Sequence, residues 1–144
     1  MASAVKGVNK TKYDAGGSGS SYIPAGEYNS QILTVYDTYE AGALATGSTI
    51  SMINLPQSAK IVDMYLAFDD LGNTVTIKVG DSTDDDRYIS AASVASAGLT
   101  RMSKVGGIMY TIGTNTSDDV IVLTTSGSIT GGTIKLVVEY TSGG

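Results

Sequence analysis

The stretch GDSTDDDRYIS, residues 80–90, sets Asp81, Asp84, Asp85 and Asp86 within six positions and follows them at once with Arg87. Two kinds of chemistry use carboxylates at this density. One is the binding of a hard divalent cation through oxygen ligands; the other is general acid–base work by a pair of acids. An EF-hand calcium loop needs oxygen ligands at alternate positions, glycine at the sixth and a bidentate acid at the twelfth. Counted from Asp81, the sixth residue is Asp86 and the twelfth is Ala92, so the pattern fails where it is most diagnostic. A looser calcium site built on Asp81, Asp84 and Asp86 is what remains of the metal reading. A catalytic pair of acids must face each other across a cleft about 5–9.5 Å wide, which neighbours on one turn do not supply. The first reading is therefore a turn between two strands. In it, Arg87 answers part of the charge and the aspartates cap loose backbone N–H groups.

Composition narrows the chemistry further. The chain has no cysteine, histidine or tryptophan. That removes thiol nucleophiles, Cys/His metal sites and every histidine-based acid or base. No catalytic residue and no cofactor is expected, and the chain reads as a non-enzyme. A net charge of −5 disfavours a nucleic-acid binder. No run approaches the ~18 consecutive apolar residues of a membrane-spanning helix, and MASAVKGVNK lacks the apolar core of a secretory signal. The expectation is a soluble chain made in the cytoplasm, with no nucleic-acid or membrane partner.

The elements that must hold the acidic segment are strands. From residue 31 the apolar residues recur with period two, the mark of half-buried strands. The segments 31–40, 47–55, 59–70, 73–81, 107–113, 118–126 and 132–141 read this way, with a short piece at RYIS. In AKIVDMYLAFDD, Val62, Met64, Leu66 and Phe68 are expected to face the core; in NTVTIKVGD, Val75, Ile77 and Val79 are. Ile50 and Met52 alternate in the second segment, and Ile134, Leu136, Val138 and Tyr140 in the last. The only helix candidate is AASVASAGLTRM, whose Ser, Val and Gly content argues against it. The separators LPQSA, DDLGN, GDSTDDD, GTNTSDD and SGSITGG are tight-turn chemistry. About eight short strands so spaced predict an all-β fold, an antiparallel two-sheet β-sandwich of jelly-roll type, over residues 31–144. The pairs Asp69–Asp70 and Asp118–Asp119 lie in other separators, and the topology decides whether the acidic loops share one end. Thr74, Thr76, Thr124, Thr125 and Thr133 are expected on outward positions, as ordinary β-formers on a solvated face. The small residues from Ala91 to Gly98 would allow close approach of a neighbour.

Residues 1–30 are different. YDAGGSGSSYIPAGEYN is glycine and serine with spaced tyrosines, a composition for extended backbone. Residues 1–13 hold Lys6, Lys10 and Lys12 and no acid, whereas the remainder holds six bases and all fourteen acids. An extended N-terminal arm is expected, ordered against a partner through Lys6, Lys10, Lys12, Tyr13 and Tyr22.

KGVN, LPQSAKIVD, DDLG, TIKVGDS and DDDRYI, in that order, resemble the small structural proteins of tailed bacteriophages that decorate or cement the capsid. The resemblance implies a virion protein on the outer capsid surface. It would bind a major capsid protein with an HK97-like fold and bridge neighbouring capsomers. A homotrimer is favoured, with a dimer as the other choice. Two other readings remain: a receptor- or glycan-binding tail or fibre module, and a calcium-dependent adhesion domain.

Overall fold

The computed structural model of the chain describes Val5, residues 31–113 and residues 119–142. Contacts divide the chain into two units, Met1–Gln31 with Gly144, and Ile32–Gly143; the fold is that of the second. The arm residues Lys6, Lys10, Lys12, Tyr13 and Tyr22, and Asp118, lie outside the described residues.

Eight strands follow in order: β1 (Ile32–Ala41), β2 (Thr49–Asn54), β3 (Lys60–Phe68), β4 (Thr76–Gly80), β5 (Ile89–Ser93), β6 (Gly98–Arg101), β7 (Val120–Ser126) and β8 (Gly132–Thr141). They form two four-stranded sheets, β1-β8-β3-β6 and β2-β7-β4-β5, antiparallel at every pairing. Consecutive strands mostly alternate between sheets, and the first strand pairs with the last. This is the jelly-roll order expected from the strand spacing. Ile61, Met64, Leu66, Ile134, Leu136 and Val138 from one sheet meet Ile50, Ile53, Ile77, Val79, Ile121 and Leu123 from the other in one buried cluster. Each such side chain contributes about 1.5–3 kcal/mol by leaving water.

Period two carries most of this register, but not at two bulges. The ladder slips between Ile61 and Asp63 in β3, and between Ser51 and Ile53 in β2. An inserted residue flips the alternation on one side of it, before the bulge in β3 and after it in β2. Ile61 is therefore buried where Val62 was expected, and Ile53 where Met52 was, while Val62 and Met52 are half-buried. Both bulges flank the connection 55–59, in which Leu55 and Ala59 are buried and Ser58 adopts φ +67°.

Two further segments differ from expectation. AASVASAGLTRM is not helical: it supplies the end of β5 and the whole of β6, tied down at Val94, whose N–H donates to Val75 O (3.1 Å) and whose carbonyl accepts from Leu71 N (3.0 Å). Residues 107–113 form no named strand. A single 3₁₀ turn occupies Val105–Gly107, Met109 takes φ +59°, and only Thr111 forms an isolated bridge, to Lys60. Gly107 packs closely, a Cβ there sitting 2.9 Å from Arg87 O and 3.0 Å from Tyr88 Cδ1, and residues 109–112 then run beside residues 58–61, Ile61 N–H donating to Tyr110 O (3.0 Å) and Ile112 N–H to Ala59 O (2.8 Å).

Topology also sorts the loops. The connections β2–β3, β4–β5 and β6–β7 lie at one end of the sandwich, where β1 starts and β8 finishes; the other four connections lie at the opposite end.

Candidate functional site

The acidic segment is the β4–β5 connection, and it closes over Gly80. A Cβ on Gly80 would lie 2.1 Å from Asp84 O and 2.5 Å from Asp85 C, so only glycine lets the turn fold back this tightly. The turn is held by Asp81 N–H on Asp84 O (3.0 Å) and Tyr88 N–H on Val79 O (3.0 Å).

Asp81 points inward with its side chain fully buried. Its Oδ1 accepts the backbone N–H of Thr83 (2.9 Å) and Asp84 (3.0 Å) and the Thr83 hydroxyl (2.6 Å). Its Oδ2 accepts Arg87 Nε–H at 2.5 Å, and Arg87 Nη2 reaches Oδ1 at 3.3 Å and Thr83 Oγ1 at 3.1 Å. The guanidinium carbon stands 4.1 Å from the Tyr110 ring centroid, and Tyr110 meets the buried Tyr88 edge-on at 6.2 Å. Arginine therefore does more than answer charge. It clasps the turn to the segment after β6 through a bidentate ion pair and a ring face. Ser103 and Lys104 N–H both donate to Tyr88 O (3.1 and 3.2 Å), closing the same junction through the backbone.

Burial alone would push the Asp81 carboxyl up. The hydrogen bonds from Arg87, Thr83 and the backbone outweigh it and hold the group below the ordinary aspartate value, while Asp81 pushes the Arg87 guanidinium up. A carboxyl lowered on folding contributes stability that is present above its unfolded value, about 3.9, and is lost as pH falls through the folded one. Urea unfolding across pH is thus expected to show stability level down to about pH 5 and falling below about pH 4, with the slope reduced in Asp81→Asn. Parallel acid loss in the variant would show that other carboxylates are responsible.

Of the three calcium candidates, Asp81 is spent on this clasp, whereas Asp84 and Asp86 face outward with Asp85. Carboxylate oxygens of Asp84, Asp85 and Asp86 come within 4.8 Å of one another. Each already has a cation nearby: Lys78 Nζ at 3.1 Å from Asp85 Oδ2, Lys104 Nζ at 3.2 Å from Asp86 Oδ2, and Arg87 Nη1 at 4.0 Å from Asp84 Oδ2. The Lys104 hydrogen bond, helped by Asp84, holds Asp86 below its usual range. A metal ion here would have to displace two lysines.

The acidic loops do not share one end. Asp119, whose carbonyl accepts Leu55 N–H at 2.7 Å, lies at the end of the Asp81–Asp86 turn, whereas Asp69 and Asp70 lie at the opposite end. There Asp69 Oδ2 accepts Thr133 N–H (2.9 Å) and Asp70 Oδ1 accepts Gly72 N–H (3.1 Å), so both are turn caps. Among the threonines, Thr125 is the exception to outward placement. It is buried opposite Ile77, and its hydroxyl donates to Ser48 O at 3.3 Å.

Sequence reasoning did not anticipate a row across the outer face of the first sheet: Tyr36, Val137, Tyr65 and Arg101 stand side by side on β1, β8, β3 and β6. Arg101 pairs with Asp63 and lies 4.9 Å from the Tyr65 ring, whose hydroxyl donates to Glu139. That hydrogen bond raises the Tyr65 phenol. No single segment carries a signal for such a row, because it exists only once four strands are in register.

Fold and polar cluster together define a jelly-roll domain whose most elaborate polar cluster holds loops together. No family profile matches the chain, and no curated protein matches it. Solved structures do. A chain of the cyanophage Pam1 capsid asymmetric unit superposes with a TM-score of 0.68 at 24% identity, covering 78% of this chain and 85% of that one. A chain of the capsid of Ralstonia phage GP4 gives 0.63 at 22%, covering 79% and 86%. A chain of the acid-stable capsid of Helicobacter pylori bacteriophage KHP30 gives 0.51 at 20%, covering 77% and 93%. At these identities the likeness is one of fold.

Proposed function

We propose that this chain is a phage virion structural protein that binds the outer surface of the assembled capsid and stabilises it by bridging neighbouring capsomers. The observation that carries the reading is the likeness of the sandwich to chains in three phage capsids, over 85–93% of the length of those chains. The acidic turn supports a structural role over catalysis, since Asp81, Asp85 and Asp86 are each engaged by a cation within the fold. The partner in this reading is a major capsid protein with an HK97-like fold, met by the arm (Lys6, Lys10, Lys12, Tyr13, Tyr22).

The mechanism is mass action. A protein that binds the expanded shell and not free subunits stabilises the shell by its binding free energy, and tethering to more than one capsomer multiplies the effect through effective concentration. The test is co-sedimentation with expanded shells that lack the protein. Saturable binding, no binding to free subunits, and a higher shell disruption temperature are expected. Absence of co-sedimentation would end the proposal. Deleting residues 1–28 is expected to leave a cooperatively melting sandwich and to abolish shell binding; equal occupancy by the truncated protein would remove the arm from the mechanism.

A further inference from the structure

The four sheet edges are not alike. β6 offers four residues, and β2 and β5 offer six and five with a register shift in their pairing. Short length and bulges are the usual means by which an edge avoids pairing with another chain. β1 has neither. Its ten residues pair with β8 without a break, and it contains no proline and no lysine. It also carries Ile32, Leu33 and Tyr36, exposed by 53, 39 and 74%.

The ladder shows which backbone groups face outward. Thr133 directs its carbonyl to Asp69 N–H on the β3 side (3.0 Å), so by alternation the odd-numbered residues of β8 serve β3. Residues of β1 paired with them, namely Ile32, Thr34, Tyr36, Thr38 and Glu40, then turn their N–H and C=O groups to the edge that no described strand pairs with. One of these donors, Thr38 N–H, is met for now by the Asp37 carboxylate at 2.8 Å.

We infer that this edge pairs with β1 of a second copy, antiparallel about a twofold axis through Tyr36, and that the protein is a dimer joined by a continuous eight-stranded sheet. The sequence of the strand selects that register. A twofold axis normal to the sheet keeps the buried faces aligned only if the numbers of paired residues sum to an even value. Centring on Tyr36 sets Tyr36 on its own copy, Thr34 on Thr38 and Leu33 on Tyr39, the aromatic, hydroxyl and apolar pairs that favour strand association. All five outward-facing residues find partners, giving about ten backbone hydrogen bonds. Asp37 faces Val35 and Glu40 faces Ile32, so no acid opposes an acid. Centring on Asp37 instead would set two carboxylates against each other and leave fewer residues paired. The inference stands on the edge itself and does not depend on a capsid partner; the family resemblance favours a trimer with a dimer as the other choice, and this edge generates the closed pair.

Light scattering on the full chain reads the result directly: twice the chain mass of 14.8 kDa is expected, and a monomer or a trimer would overturn the dimer. The register has its own test, because the chain has no cysteine. Tyr36→Cys places two thiols on the axis with Cα atoms about 5.5 Å apart, within disulfide range, and should oxidise almost completely to a linked dimer. Thr38→Cys puts them four residues out of step, about 13 Å apart, and should stay unlinked. Equal linking of both, or linking of neither in a protein that remains dimeric, would overturn the pairing. Tyr36→Lys sets two ammonium groups on the axis at an exposed position and is expected to return the mass to 14.8 kDa with the fold intact; a dimer that survives it would count against the edge.

Discussion

Arg87→Ala is expected to destabilise the domain by about 3–5 kcal/mol, the range for removing one partner of a buried ion pair. At roughly 4 °C per kcal/mol, that is a fall in Tm of about 12–20 °C. The size follows from what is left behind. Asp81 has no solvent exposure at its side chain, so deleting the guanidinium strands a carboxylate in the interior. The same change removes the donor to Thr83 Oγ1 and the cation lying over Tyr110, and with them a link from the β4–β5 turn to the segment after β6. Pairing the change with Asp81→Asn should recover part of the loss, because the amide oxygen still accepts the Thr83 and Asp84 N–H groups without carrying a charge. If Arg87→Ala melts within about 2 °C of the parent, the clasp contributes no more than a surface pair.

Gly80→Ala should be about as damaging, for a different reason: on the order of 3 kcal/mol, at the upper end for overpacking, because backbone rather than a movable side chain stands in the way. The new methyl would sit 2.1 Å from Asp84 O and 2.5 Å from Asp85 C, and relief requires opening the turn that aims Asp81 at Arg87. Gly80 does not occupy the left-handed region, so alanine's backbone preferences are not at issue. Gly106→Ala is the matched control. Nothing lies within 4 Å of the added methyl there, and the expected change is within about 0.5 kcal/mol. Thermal melts of the two variants side by side separate closure of the turn from a general intolerance of alanine for glycine. Equal stability of both would mean that the turn can open without cost.

The acidic turn was the most legible part of the site. Aspartates beside a glycine after an alternating strand, followed by an arginine, suffice to read a turn whose charge is answered locally. What the sequence did not carry was depth. Nothing distinguishes Asp81 from Asp84–Asp86 by type, and only the closure over Gly80 decides that one is interior and three are at the surface. The same limit explains the misread positions in the strands. Alternation locates β3 but not the bulge at Val62, because a bulge belongs to the pairing of two strands far apart in sequence, here β3 with β8. GIMYTIG has the pattern of a strand, yet its start turns beside Arg87 and Tyr88 at Gly107, and only residues 109–112 pair, with the chain at 58–61. Thr125 looks like its neighbour Thr124, yet it takes the inward place and satisfies its hydroxyl on the backbone of residues 45 and 48. Period and turn chemistry are local properties. Depth, bulges and cross-strand rows belong to the assembled sheets.

The order β1-β8-β3-β6 has a consequence for how the chain reaches this state. β8 is the last of the eight strands in sequence, yet it lies between β1 and β3, paired over ten residues with the first and over most of its length with the other. While residues 132–141 are still inside the ribosome, the sheet has no middle: β1 has no neighbour, and the Ile61–Phe68 row has one flank bare. Partners separated by about a hundred positions must find each other across the whole chain, at a loop-closure cost that local contacts cannot offset in advance. Such a chain completes its fold only once residues 132–141 have emerged, on the milliseconds-to-seconds scale of β-sandwiches rather than the microseconds of helical bundles. During that interval β1, one of two ten-residue strands, has no partner among the described strands.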